Sequence, residues 1–265
     1  MTGQEQMNAM NTIPTAPPMR VQNLSKSYGT TQILRGIDLE VRPGEIISIV
    51  GPSGVGKTTL LRSLSGLTDL TAGSVSIGGK VVNGPAPEIG LVFQDYRGSL
   101  MPWMRTLENV AFPLEGKGIA RARREEIALK CLADVGLEGA ARKYPWELSG
   151  GMQQRVSIAR ALAYDAHILL MDEPFGSLDA QTRMVLEDLV IALQRRLGIS
   201  VILVTHDIDE AVYMSDRVVV LNGRPASVID LVEVPLGRQR EQIASKSDPG
   251  FVEARNRVMR EIMGG

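Results

Sequence analysis

The stretch Glu45–Leu64 reads "EIISIVGPSGVGKTTLLRSL", and its three parts decide the fold. Ile46–Val50 is apolar but for Ser48, the pattern of a strand buried on both faces in a parallel sheet. "KTTLLRSLSGL", from Lys57, carries helical spacing instead. Between them, "GPSGVGKTT" fits G-x-x-x-x-G-K-[ST], a loop whose glycines let backbone N–H groups close around phosphate oxygens at a helix N-terminus. Gly51, Pro52, Ser53, Gly54, Val55, Gly56, Lys57, Thr58 and Thr59 are the expected phosphate-binding residues. In this reading Lys57 reaches the β and γ phosphates and Thr58 offers its hydroxyl to Mg²⁺.

Outward from that stretch, the chain before about Gly79 is β-rich, with "RVQNLSKSY", "LRGIDLEV" and "SVSIGG" as half-buried strands. From about 97 to 150 the pattern turns helical, and in "ARREEIALKCLADVGL" Ile127, Cys131, Leu132 and Val135 share one face. This is read as a helical insertion whose "RARR" start is a solvated face. Beyond Met152, helix and strand alternate through "HILLMDEP", "SVILVTHD" and "DRVVVL", the signature of a parallel sheet with crossover helices. A final helix is predicted over Pro249–Met263, capped by Asp248 and ended by Gly264. The expected division is a disordered tail over 1–19, a nucleotide-binding domain over 20–222 and a C-terminal extension over 223–265.

A chain of 265 residues with 44% hydrophobic content can bury a large core. Its net charge of -1 and pI near 6.2 give no bulk reason to bind nucleic acid or anionic lipid. The single cysteine, Cys131, excludes an internal disulfide and reads as core packing. The polar, proline-dotted start lacks the features of a secretory signal, and no apolar run approaches the roughly 18 residues of a spanning helix. A soluble chain is expected, with any membrane role supplied by a partner.

"ILLMDEP" places Asp172 and Glu173 at the carboxyl edge of the sheet, where open α/β folds bind ligands. Neighbouring strand residues face opposite ways, so the two acids take different roles: Asp172 toward Mg²⁺, Glu173 toward a water it can deprotonate. His206 ends "VILVTH" at the same edge and can donate to a γ-phosphate. His167 reads as structural. Gln94, ending "LVFQ", offers an amide to Mg²⁺ or water, or is an ordinary polar residue. In "LSGGMQQR", Ser149, Gly150 and Gly151 precede a helix that starts near Met152, so N–H groups and partial positive charge gather at a second glycine pair.

Together these residues resemble an ATPase subunit of ABC transporters, from Arg20 to about Asn222. "GPSGVGKTT" is similar to the family's Walker A, Gln94 to its Q-loop, "LSGGMQQR" to its signature and "ILLMDEP" to its Walker B. "SLDA" with Asp179 is similar to the D-loop, His206 to the switch histidine, and Tyr28 to the aromatic residue that stacks on adenine. The resemblance implies a phosphate-loop NTPase core with a mainly parallel sheet, an N-terminal antiparallel β subdomain and an inserted helical subdomain. It also implies ATP and Mg²⁺ as cofactors, with Asp179 among the nucleotide-binding residues, and a head-to-tail homodimer in which Ser149, Gly150 and Gly151 complete the partner's site. Two transmembrane permease subunits, an external solute-binding protein, no nucleic acid and a place on the cytoplasmic face of the membrane complete the implied setting.

"VFQDYRGSLMPWMRTLENVAFPLE" and the C-terminal "VPLGRQR" and "DPGFVEARNRVM" resemble the nitrate, sulfonate and taurine importer branch. Trp103 and Met104 are either core of the insertion or the lining of a groove for a permease helix. Exporter ATPases stay open within the transport class. A soluble ABC ATPase of DNA repair or translation would bring coiled coils, zinc cysteines or paired cassettes, and a small-molecule kinase would leave "LSGG" unexplained.

Overall fold

A computed structural model of the chain describes residues 16–93 and 96–264. Among them, β1 (Met19–Tyr28), β2 (Thr31–Val41), β4 (Ala72–Ile77) and β5 (Lys80–Val81) form an antiparallel sheet in the order β2-β1-β4-β5. A second sheet holds β3 (Ile46–Val50), β6 (Ile89–Val92), β7 (Ile168–Asp172), β8 (Ser200–Val204), β9 (Arg217–Asn222) and β10 (Ser227–Glu233). Its order is β10-β9-β3-β8-β7-β6, parallel throughout except where β10 pairs with β9. The expected architecture of a mainly parallel core, an antiparallel N-terminal β layer and an inserted helical layer is the one observed.

The two-residue period of the strands explains why both faces of the main sheet are apolar. Leu169 and Met171 of β7, Val201 and Leu203 of β8, and Val218 and Val220 of β9 point into a core shared with the helices. Their neighbours Ile168, Leu170, Ile202, Val204, Val219 and Leu221 point the other way, into a core closed by the antiparallel sheet and by Leu60, Leu61 and Leu64 of helix Lys57–Leu64. Each such side chain contributes roughly 1.5–3 kcal/mol on burial. The two sheets are stitched where Ala226 N–H donates to Ile33 O at 2.8 Å and Arg35 N–H to Ala226 O at 2.9 Å.

The helical insertion comprises helices Tyr96–Ser99, Thr106–Ala111 and Arg121–Asp134, against which helix Gly150–Ala163 packs. Arg160 of that last helix donates to Ser99 O at 2.6 Å. Cys131 is buried as expected, and burial, aided by Asp134, pushes its thiol up to about 11. Arg121 and Arg123 pair with Glu125 and Glu126 on the solvated face.

Residues 1–15 of the expected tail lie outside the described residues. Ala16 is buried and donates to Gly198 O at 2.9 Å, and β1 begins at Met19. At the other end, helix Pro249–Met263 has Asp248 as its cap, accepting from Gly250 N–H at 2.7 Å. Phe251, Ala254 and Val258 join the core that β9 lines. β10 is an addition to the sequence reading: a half-exposed edge strand that only its pairing with β9 defines.

Candidate nucleotide-binding and hydrolysis site

β3 delivers the chain to Gly51 at the carboxyl edge of the sheet. A Cβ on Gly51 would sit 2.3 Å from Leu221 O, so only glycine lets the strand pass that carbonyl. Gly56, the residue before helix Lys57–Leu64, has φ 111°, a conformation other residues avoid. Among the described residues, the N–H groups of Gly54, Gly56, Lys57, Thr58 and Thr59 donate to nothing in the protein. They form a concave nest of donors at a helix start, the arrangement that binds anions.

Lys57 closes the loop from inside, its Nζ donating to Gly51 O at 2.8 Å and Pro52 O at 3.2 Å. Burial lowers its pKa, with Glu173 and Asp172 pulling the other way. Thr58 Oγ1 donates to Asp172 Oδ1 at 3.3 Å, which ties the loop to the end of β7. Burial raises the Asp172 pKa, the Thr58 hydrogen bond opposes that, and the Glu173 charge adds to it.

The chain turns sharply after Asp172. Glu173 has φ 44°, in the left-handed region, at a cost of order 1–3 kcal/mol for a non-glycine residue. Its N–H donates to Val204 O at 2.8 Å, which holds the turn against β8. The two carboxylates part there as expected, though through this left-handed turn beyond the end of β7 rather than through strand alternation: Asp172 reaches Thr58, and Glu173 Oε2 lies 3.0 Å from His206 Nδ1. The His206 side chain is 66% exposed, so its ring stands in solvent at the edge.

The sequence reading passed over what fixes His206. Asp207 caps helix Ile208–Met214, accepting from Glu210 N–H at 3.1 Å, and its Oδ2 pairs with Arg183 at 2.9 Å. Thr205 Oγ1 accepts from Asp207 N–H at 3.0 Å. An aspartate three residues before a glutamate was the available capping signal. His167 lies away from this edge, with its N–H donating to Glu88 O at 2.9 Å.

The remaining expected residues form two further groups. Tyr28 ends β1, 51% exposed, on the hairpin whose Ile33 and Leu34 abut Gly56. Ser149 caps helix Gly150–Ala163, accepting from Met152 N–H at 3.3 Å, while the N–H groups of Gly150 and Gly151 are unspent among the described residues. A Cβ on Gly151 would meet Thr182 Cγ2 at 2.4 Å. Thr182 belongs to helix Ala180–Leu197, whose cap Asp179 accepts from Thr182 N–H at 3.0 Å, so the two helix starts pack side by side. The Thr182 side-chain hydrogen bond holds the Asp179 pKa down. Gln94 lies outside the described residues.

The family model described as ABC transporter matches residues 34–176. The chain is 47% identical over 245 residues to an uncharacterized ABC transporter ATP-binding protein, MJ0412, of Methanocaldococcus jannaschii, covering 91% of this chain and 90% of that one. It is 42% identical over 250 residues to the taurine import ATP-binding protein TauB of Escherichia coli O157:H7, covering 92% and 96%. Among solved structures, the dimeric ATP-binding cassette MJ0796 bound to ADP and Pi superposes with TM-score 0.71 at 34% identity, covering 83% of this chain and all (100%) of that one. The cbiO1 protein of Clostridium perfringens, part of the ABC transporter complex cbiONQ, superposes with TM-score 0.77 at 27% identity, covering 93% and 94%. With the donor nest, the paired carboxylates and the second glycine helix start in place, the chain belongs to the ABC transporter family as one of its ATP-binding, ATP-hydrolysing subunits.

Proposed function

We propose that this ATPase energises import of a small anionic solute of the sulfonate or nitrate class, as a homodimer bound to two membrane-spanning permease subunits and served by an external solute-binding protein. The observation that carries the hydrolytic reading is the meeting of two pairs at one sheet edge, Thr58 with Asp172 at 3.3 Å and Glu173 with His206 at 3.0 Å.

The hard oxygens of Thr58 and Asp172 fit Mg²⁺, with Gln94 proposed as a further ligand, and the donor nest fits the phosphates of ATP. When bound, Mg²⁺ supplies neutralisation of phosphate charge. Lys57 exchanges its two loop carbonyls for phosphate oxygens, and Tyr28 stacks on the adenine. Glu173 removes the proton from the attacking water, while His206 orients that carboxylate and stabilises charge on the γ-phosphate. The unspent N–H groups of Gly150 and Gly151, with Ser149 and Asp179, act on the nucleotide held by the partner copy, and closure of the dimer over two ATP molecules drives transport.

The import reading rests on the similarity to the taurine import protein and on the stretch around Trp103, which is 72% exposed. Beside it, Met104, Leu107, Ala111, Phe112 and Arg121 line a cavity of about 290 Å³ that suits an amphipathic permease helix. Among the described residues no helix is long and apolar enough to cross a membrane, consistent with a peripheral place on the cytoplasmic face. Residues 20–222 are proposed as the nucleotide-binding domain with its insertion at about 97–150, and 223–265 as an extension built onto it.

The test is reconstitution in proteoliposomes with the permease and binding protein encoded beside this chain. ATP-dependent uptake of labelled taurine, another alkanesulfonate or nitrate is expected, and it stops with Glu173→Gln. A complex that hydrolyses ATP yet takes up none of them overturns the solute class alone.

A further inference from the structure

The parallel sheet has a second functional-looking edge, at the amino ends of its strands. A cavity of about 430 Å³ opens there, within the roughly 300–1,000 Å³ span of small-ligand pockets. Arg42, before β3, lines it together with Arg195 from the last turn of helix Ala180–Leu197 and with Arg238 and Arg240 from the segment after β10.

Two carboxylates also line the cavity, and both are already engaged by arginines and backbone N–H groups. Glu45 accepts from Arg217 Nε at 2.5 Å, from Arg217 Nη2 at 2.8 Å and from Arg42 N–H at 2.7 Å. Asp216 accepts from Ile46 N–H at 2.9 Å and from Arg240 Nη2 at 3.3 Å. Arg240 is fixed, its side chain only 4% exposed, with Nη1 donating to Tyr213 O at 2.6 Å.

By contrast, among the described residues the side chains of Arg195 and Arg238 make no hydrogen bond and no ion pair, and the Arg42 side chain has only a loose ion pair, 3.6 Å from Glu233. Burial lowers the pKa of Arg240, Asp216 opposes that, and the Arg195 charge adds to it, so these cations feel one another. The cavity therefore offers unspent guanidinium donors, and its four arginines outnumber its two carboxylates, each of which already holds an arginine. Guanidinium forks match the paired oxygens of carboxylate, sulfonate and phosphate groups.

We infer that this cavity is a second anion site, in which Arg195 and Arg238 take a small oxyanion over the fixed guanidinium of Arg240. A bound anion would fasten the segment 236–240 to the core helix Ala180–Leu197. This inference is independent of the proposed solute and of the nucleotide roles above.

The test is a thermal-unfolding titration with sodium sulfate, against sodium chloride at equal ionic strength, with saturating adenylyl-imidodiphosphate and Mg²⁺ occupying the phosphate loop. The intact protein is expected to show a saturable, sulfate-specific rise in Tm. In Arg195→Ala/Arg238→Ala the apparent sulfate affinity falls at least ten-fold, and Arg195→Lys/Arg238→Lys lies between. Both arginines are exposed and unpartnered, so the variants should fold, and an unchanged Tm shift with the nucleotide analogue confirms that they do. Selenate soaked into crystals should give an anomalous peak between the three guanidinium groups. An equal sulfate response in intact protein and double alanine variant, no response in the intact protein, or selenate only at the phosphate loop overturns the site. Loss of the analogue's own Tm shift in the intact protein would instead strike the nucleotide reading.

Discussion

Two helices of this chain open on glycines, at the cap Gly56 and at Gly150, and both starts carry backbone N–H groups that bond to nothing among the described residues. They differ in company. Around the first stand Lys57, Thr58 and Asp172, so charge, hydroxyl and carboxylate for a nucleotide all come from the same chain. Around the second stand the capping Ser149, Thr182 and the neighbouring start at Asp179, with no charged side chain bonded to the start among the described residues. The glycines also differ in purpose: Gly51 clears a strand carbonyl, whereas Gly151 clears the methyl of Thr182. In the proposed function the first start is a site and the second is half of one, which would be a physical reason for two copies to meet.

The largest effect that can break this contrast comes from Ser149→Arg. It should reduce hydrolysis to background while ATP binding, measured by fluorescence of an analogue, stays normal; Lys57→Ala should lose binding itself. In a mixed dimer of these two variants, completion across the interface leaves one intact site that traps ATP, and completion within each chain leaves none. A Ser149→Arg protein that fails to bind ATP would make the second start part of its own chain's loop.

Next in size, Glu173→Gln should lower turnover roughly 10²-fold or more with ATP binding kept, the share of a positioned base. Phosphate release near the normal rate would move the base elsewhere. Gly151→Ala should destabilise folding by about 1–3 kcal/mol through overpacking, and Thr182→Ser should restore most of it by removing the opposing methyl. Chemical denaturation of both variants reads this directly, and no rescue would return Gly151 to a purely ligand-facing role. Smallest is Tyr28→Ala, expected to raise the ATP KM several-fold, about 1 kcal/mol of stacking, with Tyr28→Trp tolerated. Equal KM values would assign Tyr28 to packing.

What the sequence made legible was whatever is written locally. Helix Pro249–Met263 could be bounded from Asp248, Pro249 and Gly264 because caps act within one turn. The order of strand, loop and helix at Glu45–Leu64 was legible for the same reason. Strand alternation predicts the divergence of Asp172 and Glu173, but β7 ends at Asp172 and a left-handed turn at Glu173 produces it. Contacts between distant segments were not legible. The packing of Gly151 on Thr182, the Arg183–Asp207 pair beneath His206 and the edge strand β10 each depend on how helices and strands dock. The donor excess at the amino edge also needed the fold, since only the structure shows Glu45 taken up by Arg217 and Asp216 by Arg240, with Arg195 and Arg238 left over.

The stitch at Ala226 bears on how this molecule can move. Ile33 and Arg35 grip that residue from β2, Ile33 and Leu34 abut Gly56, and Leu221 crowds Gly51. The hairpin bearing Tyr28, the phosphate loop and the end of β9 are thus clamped into one block. In the proposed dimer, that block would hold the nucleotide as one rigid grip, and closure of one copy upon another would have to come from outside it.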